Sequence, residues 1–179
     1  MSQAQELFTF CKENILLLDS IYNQRKHNLK KWPETHIYSG DWSYLMLNFN
    51  FKNVLKTNTL LDALLENTTV AMFSVLRPGT EIVAHQGHRD YCDYVTRCHF
   101  CLQNSEDNQL SLETGETINW QRGHGYTFDD TVRHSAYNRG TVDRVVLFVD
   151  VLRDPNVRPE TYEETRELFP EYFIWYCQR

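Results

Sequence analysis

The sequence contains no apolar run near the length of a membrane span, which needs about 18 or more consecutive apolar residues. No basic stretch followed by an apolar one opens the chain, so no secretory leader is expected. Cysteine is scarce and odd in number: five residues, at positions 11, 92, 98, 101 and 177, with irregular spacing. That pattern argues against a disulfide framework, and a reducing, cytoplasmic location fits it best. Positive charge is in deficit, with 18 Lys and Arg against 24 Asp and Glu, a net charge of −6. Bulk nucleic-acid binding is therefore disfavoured. The one basic run, Arg25-Lys26-His27-Asn28-Leu29-Lys30-Lys31, reads as a solvated helix end ahead of a contact patch. No internal repeat or low-complexity tract stands out.

What is present suits one ordinary globular domain. The chain has 179 residues, and its apolar fraction of 41% and aromatic fraction of 13% are those of a chain with a proper core. Residues 1–35 read as a helical segment: Leu7, Cys11, Ile15, Leu18 and Tyr22 recur at helical spacing from 3 to about 25. A short helix is expected over 58–66, capped by Asn58 or Thr59, with Leu60, Leu61, Leu64 and Leu65 buried. Loosely alternating strands flank the Ser39-Gly40-Asp41 turn. From 69 to 151 the pattern changes to short β segments at 70–76, 81–85, 94–103, 109–113, 117–120, 124–128, 134–137 and 143–151, many separated by turn residues. Residues 36–153 thus form a mainly β core of the sandwich, jelly-roll or barrel type with flanking helices. Residues 154–179 are read as a helix opening at Arg158-Pro159-Glu160 and an aromatic tail, Tyr172 to Tyr176, docked on the domain.

Strand alternation sorts the chemistry, because residues two apart share a face. Ser74 lies with Met72 and Leu76, Arg97 with His99, and Arg144 with Val146 and Phe148. If these faces point into one β domain, its interior receives two arginines, a histidine and a hydroxyl. Interior cations are costly unless an anion meets them, so a bound carboxylate or phosphate is predicted. The same alternation weakens the C-x-x-C of Cys98 and Cys101: three residues apart, they face opposite sides and do not chelate one ion. Imidazoles suit iron or zinc. A zinc site of His85, His88 and Cys92 is an alternative that leaves the His134-to-Arg144 segment unexplained.

Taken in order, Ser74-x-x-x-Pro78-Gly79-Thr80, His85-x-Gly87, Arg97-x-His99, Phe128-Asp129-Asp130 with His134, and Arg144 ten residues later resemble the aspartyl/asparaginyl β-hydroxylases, a family of iron(II) and 2-oxoglutarate dioxygenases. The similarity spans about residues 40–153, with Gly40-x-Trp42 and the leucine-rich helix near 60. It implies a double-stranded β-helix, a jelly roll of the cupin kind. It implies His85 and His134 as the two iron ligands, and Arg144 with Ser74 at the distal carboxylate of 2-oxoglutarate. It places His99, with Arg97 nearby, at the metal-proximal carboxylate. The implied reaction couples dioxygen and 2-oxoglutarate to hydroxylation of an unactivated C–H, by default the β-carbon of an aspartyl or asparaginyl residue in a peptide or protein. A small molecule or lipid acyl chain is the alternative substrate.

Many non-haem iron oxygenases use two histidines and a carboxylate. Here the slot two residues after His85 is Gly87, as the resembled family has it, with water in that position; halogenation is the minor chemical alternative. Asp129 and Asp130 are read as turn and ligand-orienting groups. The stretch Gln86 to Cys98 is longer than the family spacing, which loosens the alignment of Arg97 and is expected to shape the mouth of the site. Arg89, Arg97, Arg122, Arg133 and Arg139 are placed near that mouth. The membrane anchor and accessory domains of larger family members are not expected. Two other readings stand beside the hydroxylase: a non-catalytic cupin-like module that holds a metal or an acid, and a zinc-stabilised interaction domain.

Overall fold

In the computed structural model, residues 2–154, 156 and 170 are described. The expected C-terminal helix and the aromatic tail lie outside them. Helices α1 (Gln3–Glu13) and α2 (Ile15–Arg25) open the chain. They are followed by β1 (Lys30–Lys31), β2 (Tyr38–Ser39), β3 (Trp42–Phe49), β4 (Lys52–Asn53) and α3 (Thr59–Leu65). Then come β5 (Val70–Leu76), β6 (Thr80–His85), the single turn α4 (Arg89–Cys92), β7 (Val95–Gln103) and β8 (Asn108–Leu112). The described core ends with β9 (Thr117–Ile118), β10 (Gly125–Phe128), β11 (His134–Asn138) and β12 (Arg144–Leu152).

The strands form two antiparallel sheets. The larger has the order β1-β3-β5-β12-β7-β10, with β4 on β3; the smaller has the order β2-β6-β11-β8-β9. From β5 onward the chain steps between the sheets, so that β5, β7, β10 and β12 face β6, β8, β9 and β11. That alternation is the double-stranded β-helix. β5 and β12 lie inside the large sheet and are buried along their whole length, which explains their near-continuous apolar sequences.

Each face of the large sheet has its own core. The inner face packs Trp42, Tyr44, Met72, Val146 and Phe148 against Ile82, Leu110 and Ala136 of the small sheet. The outer face packs Phe73, Val75, Phe100, Leu147 and Val149 beneath Leu7, Cys11, Leu18 and Ile21 of α1 and α2 and Leu61 and Leu65 of α3. Cys98 belongs to the outer core and Cys101 to the inner one, as their spacing requires. The fold therefore offers one interior, between the sheets, and every inward residue of β5, β7 and β12 reaches it.

Two local expectations are corrected. The first helix is broken at Asn14, whose backbone leaves the helical region (φ −115°, ψ 25°) and whose side-chain amide donates to the Phe10 carbonyl. An asparagine that competes for the backbone in this way ends one helix and starts the next. In α3, Asn58 caps the Leu60 N–H as expected, but Leu60 itself is 62% exposed; only Leu61 and Leu65 are fully buried.

Candidate functional site

A cavity of about 100 Å³ lies between the sheets, and all six residues singled out from the sequence line it: Ser74, His85, Arg97, His99, His134 and Arg144. Strand register brings them there. His85 ends β6 and His134 begins β11, and the two are direct cross-strand partners. Their ring centroids are 4.4 Å apart with planes at 57°. Each Nδ1–H donates to the carbonyl two residues back, His85 to Val83 and His134 to Val132, both at 2.8 Å. This bond fixes the tautomer and leaves both Nε2 lone pairs for a metal. Burial holds the His134 pKa below the ordinary value, against the pull of Asp130, so the ring is neutral at neutral pH.

Glycine at position 87 is a packing requirement. Its N–H donates to the Asp130 carbonyl, at 2.8 Å, across the gap between the two connections. A Cβ on Gly87 would meet Asp130 Oδ2 at 1.9 Å and Cys92 Sγ at 2.2 Å. The space of the missing side chain is thus filled from two other segments. The other Asp130 oxygen, Oδ1, lies 3.4 Å from His134 Nε2 and accepts from Arg97 Nη1. Burial raises the Asp130 pKa, but Arg97, His134 and the Cys92 thiol more than offset it, and the group stays ionised. Asp129, by contrast, caps the Thr131 N–H and hydroxyl at 3.0 and 2.7 Å and pairs with Arg153. Among the described residues no set of three His, Cys, Asp or Glu side chains is arranged to hold a metal. The His85, His88 and Cys92 set is therefore not assembled, and two histidines are what the described residues offer.

The other end of the cavity is a cation without an acidic partner among the described residues. Arg144 is 2% exposed, its Nε and Nη1 make no hydrogen bond, and its guanidinium stacks 4.5 Å above the Trp120 ring. Burial pulls its pKa down to about 9. Both ring nitrogens of His99 and the indole N–H of Trp120 are also buried and unpaired. Burial, then the charges of Arg144 and Arg97, depress the His99 pKa. Ser74 Oγ accepts from Trp42 Nε1 at 3.0 Å, which leaves its proton for another acceptor. A buried polar group left unsatisfied costs about 1–3 kcal/mol, more when charged. Natural interiors seldom leave several such groups side by side. A carboxylate bound between Arg144 and Ser74 would satisfy both, since the arginine fork matches its two oxygens.

Arg97 differs from Arg144. Opposite Asp150 in the β7–β12 register, it binds that carboxylate through Nε and Nη2, both at 3.0 Å, and Asp130 through Nη1. Three of its donors are therefore spent on two buried acids. Of the other arginines expected at the mouth, Arg122 pairs with Asp19 beside α2 and Arg139 with Glu81 on the outer side of the small sheet. Arg133 does not line the cavity. The half-exposed lining residues Glu34, His85 and His88, with exposed Gln86, mark the mouth. Glu34 pairs with His88 at 3.4 Å and accepts from Trp32 Nε1. The long stretch after His85 only partly frames this mouth, because Tyr91 and Cys92 turn inward, at 4% and 1% exposure. Sequence reasoning missed Asp150, Trp120, Tyr91 and Glu34. The first was within reach: Asp150 is an acid of the same parity as Arg144 in an apolar strand, and so an inward charge that demands a cation.

The family model for aspartyl/asparaginyl beta-hydroxylase matches residues 5–154. An ornithine lipid ester-linked acyl 2-hydroxylase of Rhizobium tropici is 38% identical over 87 residues, 48% of this chain and 30% of its own. The human aspartate beta-hydroxylase domain-containing protein 2 is 32% identical over 141 residues, 70% of this chain and 37% of its own. The human aspartyl/asparaginyl beta-hydroxylase is 30% identical over 132 residues, 68% of this chain and 17% of its own. The chain thus spans less than two fifths of each of these relatives. In structure it resembles a Pseudomonas putida prolyl-4-hydroxylase, with a TM-score of 0.57 at 14% identity, over 80% of this chain and 88% of the other. No helix among the described residues is long and apolar enough to cross a membrane.

Proposed function

We propose, for a chain that belongs to the aspartyl/asparaginyl β-hydroxylase family, that His85 and His134 hold iron(II) and that 2-oxoglutarate is its co-substrate. The observation that carries this reading is the pairing, within one cavity, of two histidines fixed with free Nε2 atoms and a buried arginine with unpaired donors. When bound, the metal and the keto acid supply the oxidation of an unactivated C–H by dioxygen, with succinate and carbon dioxide as co-products. The chain's own residues do the rest. Arg144 and Ser74 anchor the distal carboxylate and His99 faces the proximal one. Arg97, its charge met by Asp150 and Asp130, supports this end from behind. Trp42, Met72, Leu110, Trp120, Phe128 and Phe148 wall the cavity and keep water from the reacting centre.

By family the default substrate is an aspartyl or asparaginyl side chain. A second reading, an acyl chain or other apolar substrate, is favoured by the cavity wall and the mouth. Trp32 stacks on Trp42 at 4.0 Å, and no arginine other than Arg97 and Arg144 lines the cavity among the described side chains. The name of the Rhizobium tropici relative points the same way. Four buried free thiols support a reducing compartment.

The test is anaerobic titration of the iron(II)-loaded protein with 2-oxoglutarate, followed by the visible charge-transfer band of the chelate. A band present in the native protein and lost in His134→Ala is expected. A folded, iron-bound protein without the band would reject the co-substrate and favour a binding module without catalysis.

A further inference from the structure

The turn α4 sends two successive side chains into the buried charge cluster, and each meets a different acid. Tyr91 donates its hydroxyl to Asp150 Oδ2 at 2.9 Å, and Thr69 Oγ1 lies 2.7 Å from the same hydroxyl. Cys92 donates its thiol to Asp130 Oδ2 at 2.8 Å. These are the two acids that share Arg97. Asp130 is consequently held from both sides, by Arg97 on Oδ1 and by Cys92 on Oδ2. The position it is held in is the one that a side chain on Gly87 would take. Burial and the adjacent carboxylate keep the thiol protonated, so it serves as a donor and not as a ligand or nucleophile.

We propose that Cys92 is a positioning residue: its thiol fixes the Asp130 carboxylate in the space beside Gly87, and so sets the charge that faces His85 and His134. The longer connection between β6 and β7 then has a function beyond the mouth of the site, since it delivers this donor. Without it, Asp130 Oδ2 loses its partner next to a hole the size of the sulfur, and the carboxylate is free to rotate away from His134. This inference rests on the proposed metal site, and its test separates the two.

Cobalt(II) binding to the native protein, His134→Ala, Cys92→Ala and Cys92→Ser is measured by calorimetry and by the d–d spectrum, with a thermal melt for each. Groups that orient a metal site from behind its ligands typically change metal affinity about 10–100-fold, and Cys92→Ala is expected to weaken cobalt(II) binding by that factor. Cys92→Ser, whose hydroxyl also donates, is expected to restore binding to within a few-fold of native. Equal cobalt(II) affinity and spectra in native, Cys92→Ala and Cys92→Ser, with only the melting temperatures changed, would make Cys92 a packing residue and overturn the inference alone. Native protein that binds cobalt(II) no better than His134→Ala would overturn the metal site and the inference with it. A second readout needs no variant that folds poorly: the infrared S–H stretch of the native protein. A strongly hydrogen-bonded S–H band that shifts on adding cobalt(II) is expected, and a free-thiol frequency insensitive to the metal would refute the bond.

Discussion

Arg144 is the residue at which stability and binding are set against each other. Its guanidinium is buried with Nε and Nη1 unpaired, so among the described residues of the acid-free protein it is an interior charge that no acid compensates. Arg144→Met keeps most of the stem volume and removes that charge. Replacing buried ionic groups by apolar ones of similar volume is often stabilising by about 1–4 kcal/mol. For a chain of this size each kcal/mol moves the melting temperature by about 2–4 °C, so acid-free Arg144→Met should melt at least about 2 °C above native. The same change should cost about 2–5 kcal/mol of 2-oxoglutarate binding, or about 30-fold to several thousand-fold in affinity. Native protein at about 100 times the dissociation constant gains about 2.7 kcal/mol from the ligand, and the variant should gain no more than about 0.9 kcal/mol at that concentration. The assay is thermal melting with manganese(II) in place of iron, with and without 2-oxoglutarate. The pH dependence carries a sign. Burial lowers the folded-state pKa to about 9, below that of the unfolded chain, so the unfolded state binds the extra proton above that value. The penalty is therefore present at neutral pH and is relieved as pH rises through about 9, where 2-oxoglutarate binding should fall. A variant less stable than native without acid, or one stabilised by 2-oxoglutarate as much as native, would refute the unpaired-cation argument.

Three further outcomes are expected. His85→Ala and His134→Ala should each abolish turnover while the melt stays cooperative; iron-dependent activity retained in His134→Ala would dismiss the ligand assignment. Gly87→Asp should not rebuild a two-histidine, one-carboxylate site, because its Cβ falls 1.9 Å from Asp130 Oδ2. It should destabilise the fold by about 1–3 kcal/mol or more and weaken cobalt(II) binding, and a native melt with tighter binding would count against the packing argument. Burial pushes the Cys11, Cys98 and Cys101 thiols up to about 12 and raises Cys92 as well. A disulfide reagent at pH 8 should therefore label at most one of the five cysteines before denaturant is added, and rapid labelling of two would contradict it.

The parts of the site that were legible lie on strands. A strand has a period of two, so Ser74, Arg97, His99 and Arg144 could be assigned to a common interior before any sheet was known. The same rule separated Cys98 from Cys101, which the structure places in different cores. Connections carry no such period. Nothing in the spacing of Gln86 to Cys98 foretells that Tyr91 and Cys92 turn inward, or that Arg122 and Arg139 find acids far from the mouth. The break at Asn14 is a third case, where one side-chain amide outweighs an apolar stripe that runs on unbroken.

The two interior arginines show how far parity alone can carry a functional reading. Both are inward on adjacent strands, and both predict an anion. For Arg97 the anion is in the chain: Asp150, six residues after Arg144 and on the same face of β12, meets it in register. For Arg144 no acid of the described chain arrives, and Trp120 covers it with a ring face. An arginine that the fold neutralises serves the architecture. One that the described residues leave unpaired, at the opposite end of β12 from Asp150, fits the proposed ligand that brings the charge. The distinction follows from the partners: Arg97 of β7 is neutralised beside one end of β12, and at the other end Arg144 has, in the function proposed above, a binding role.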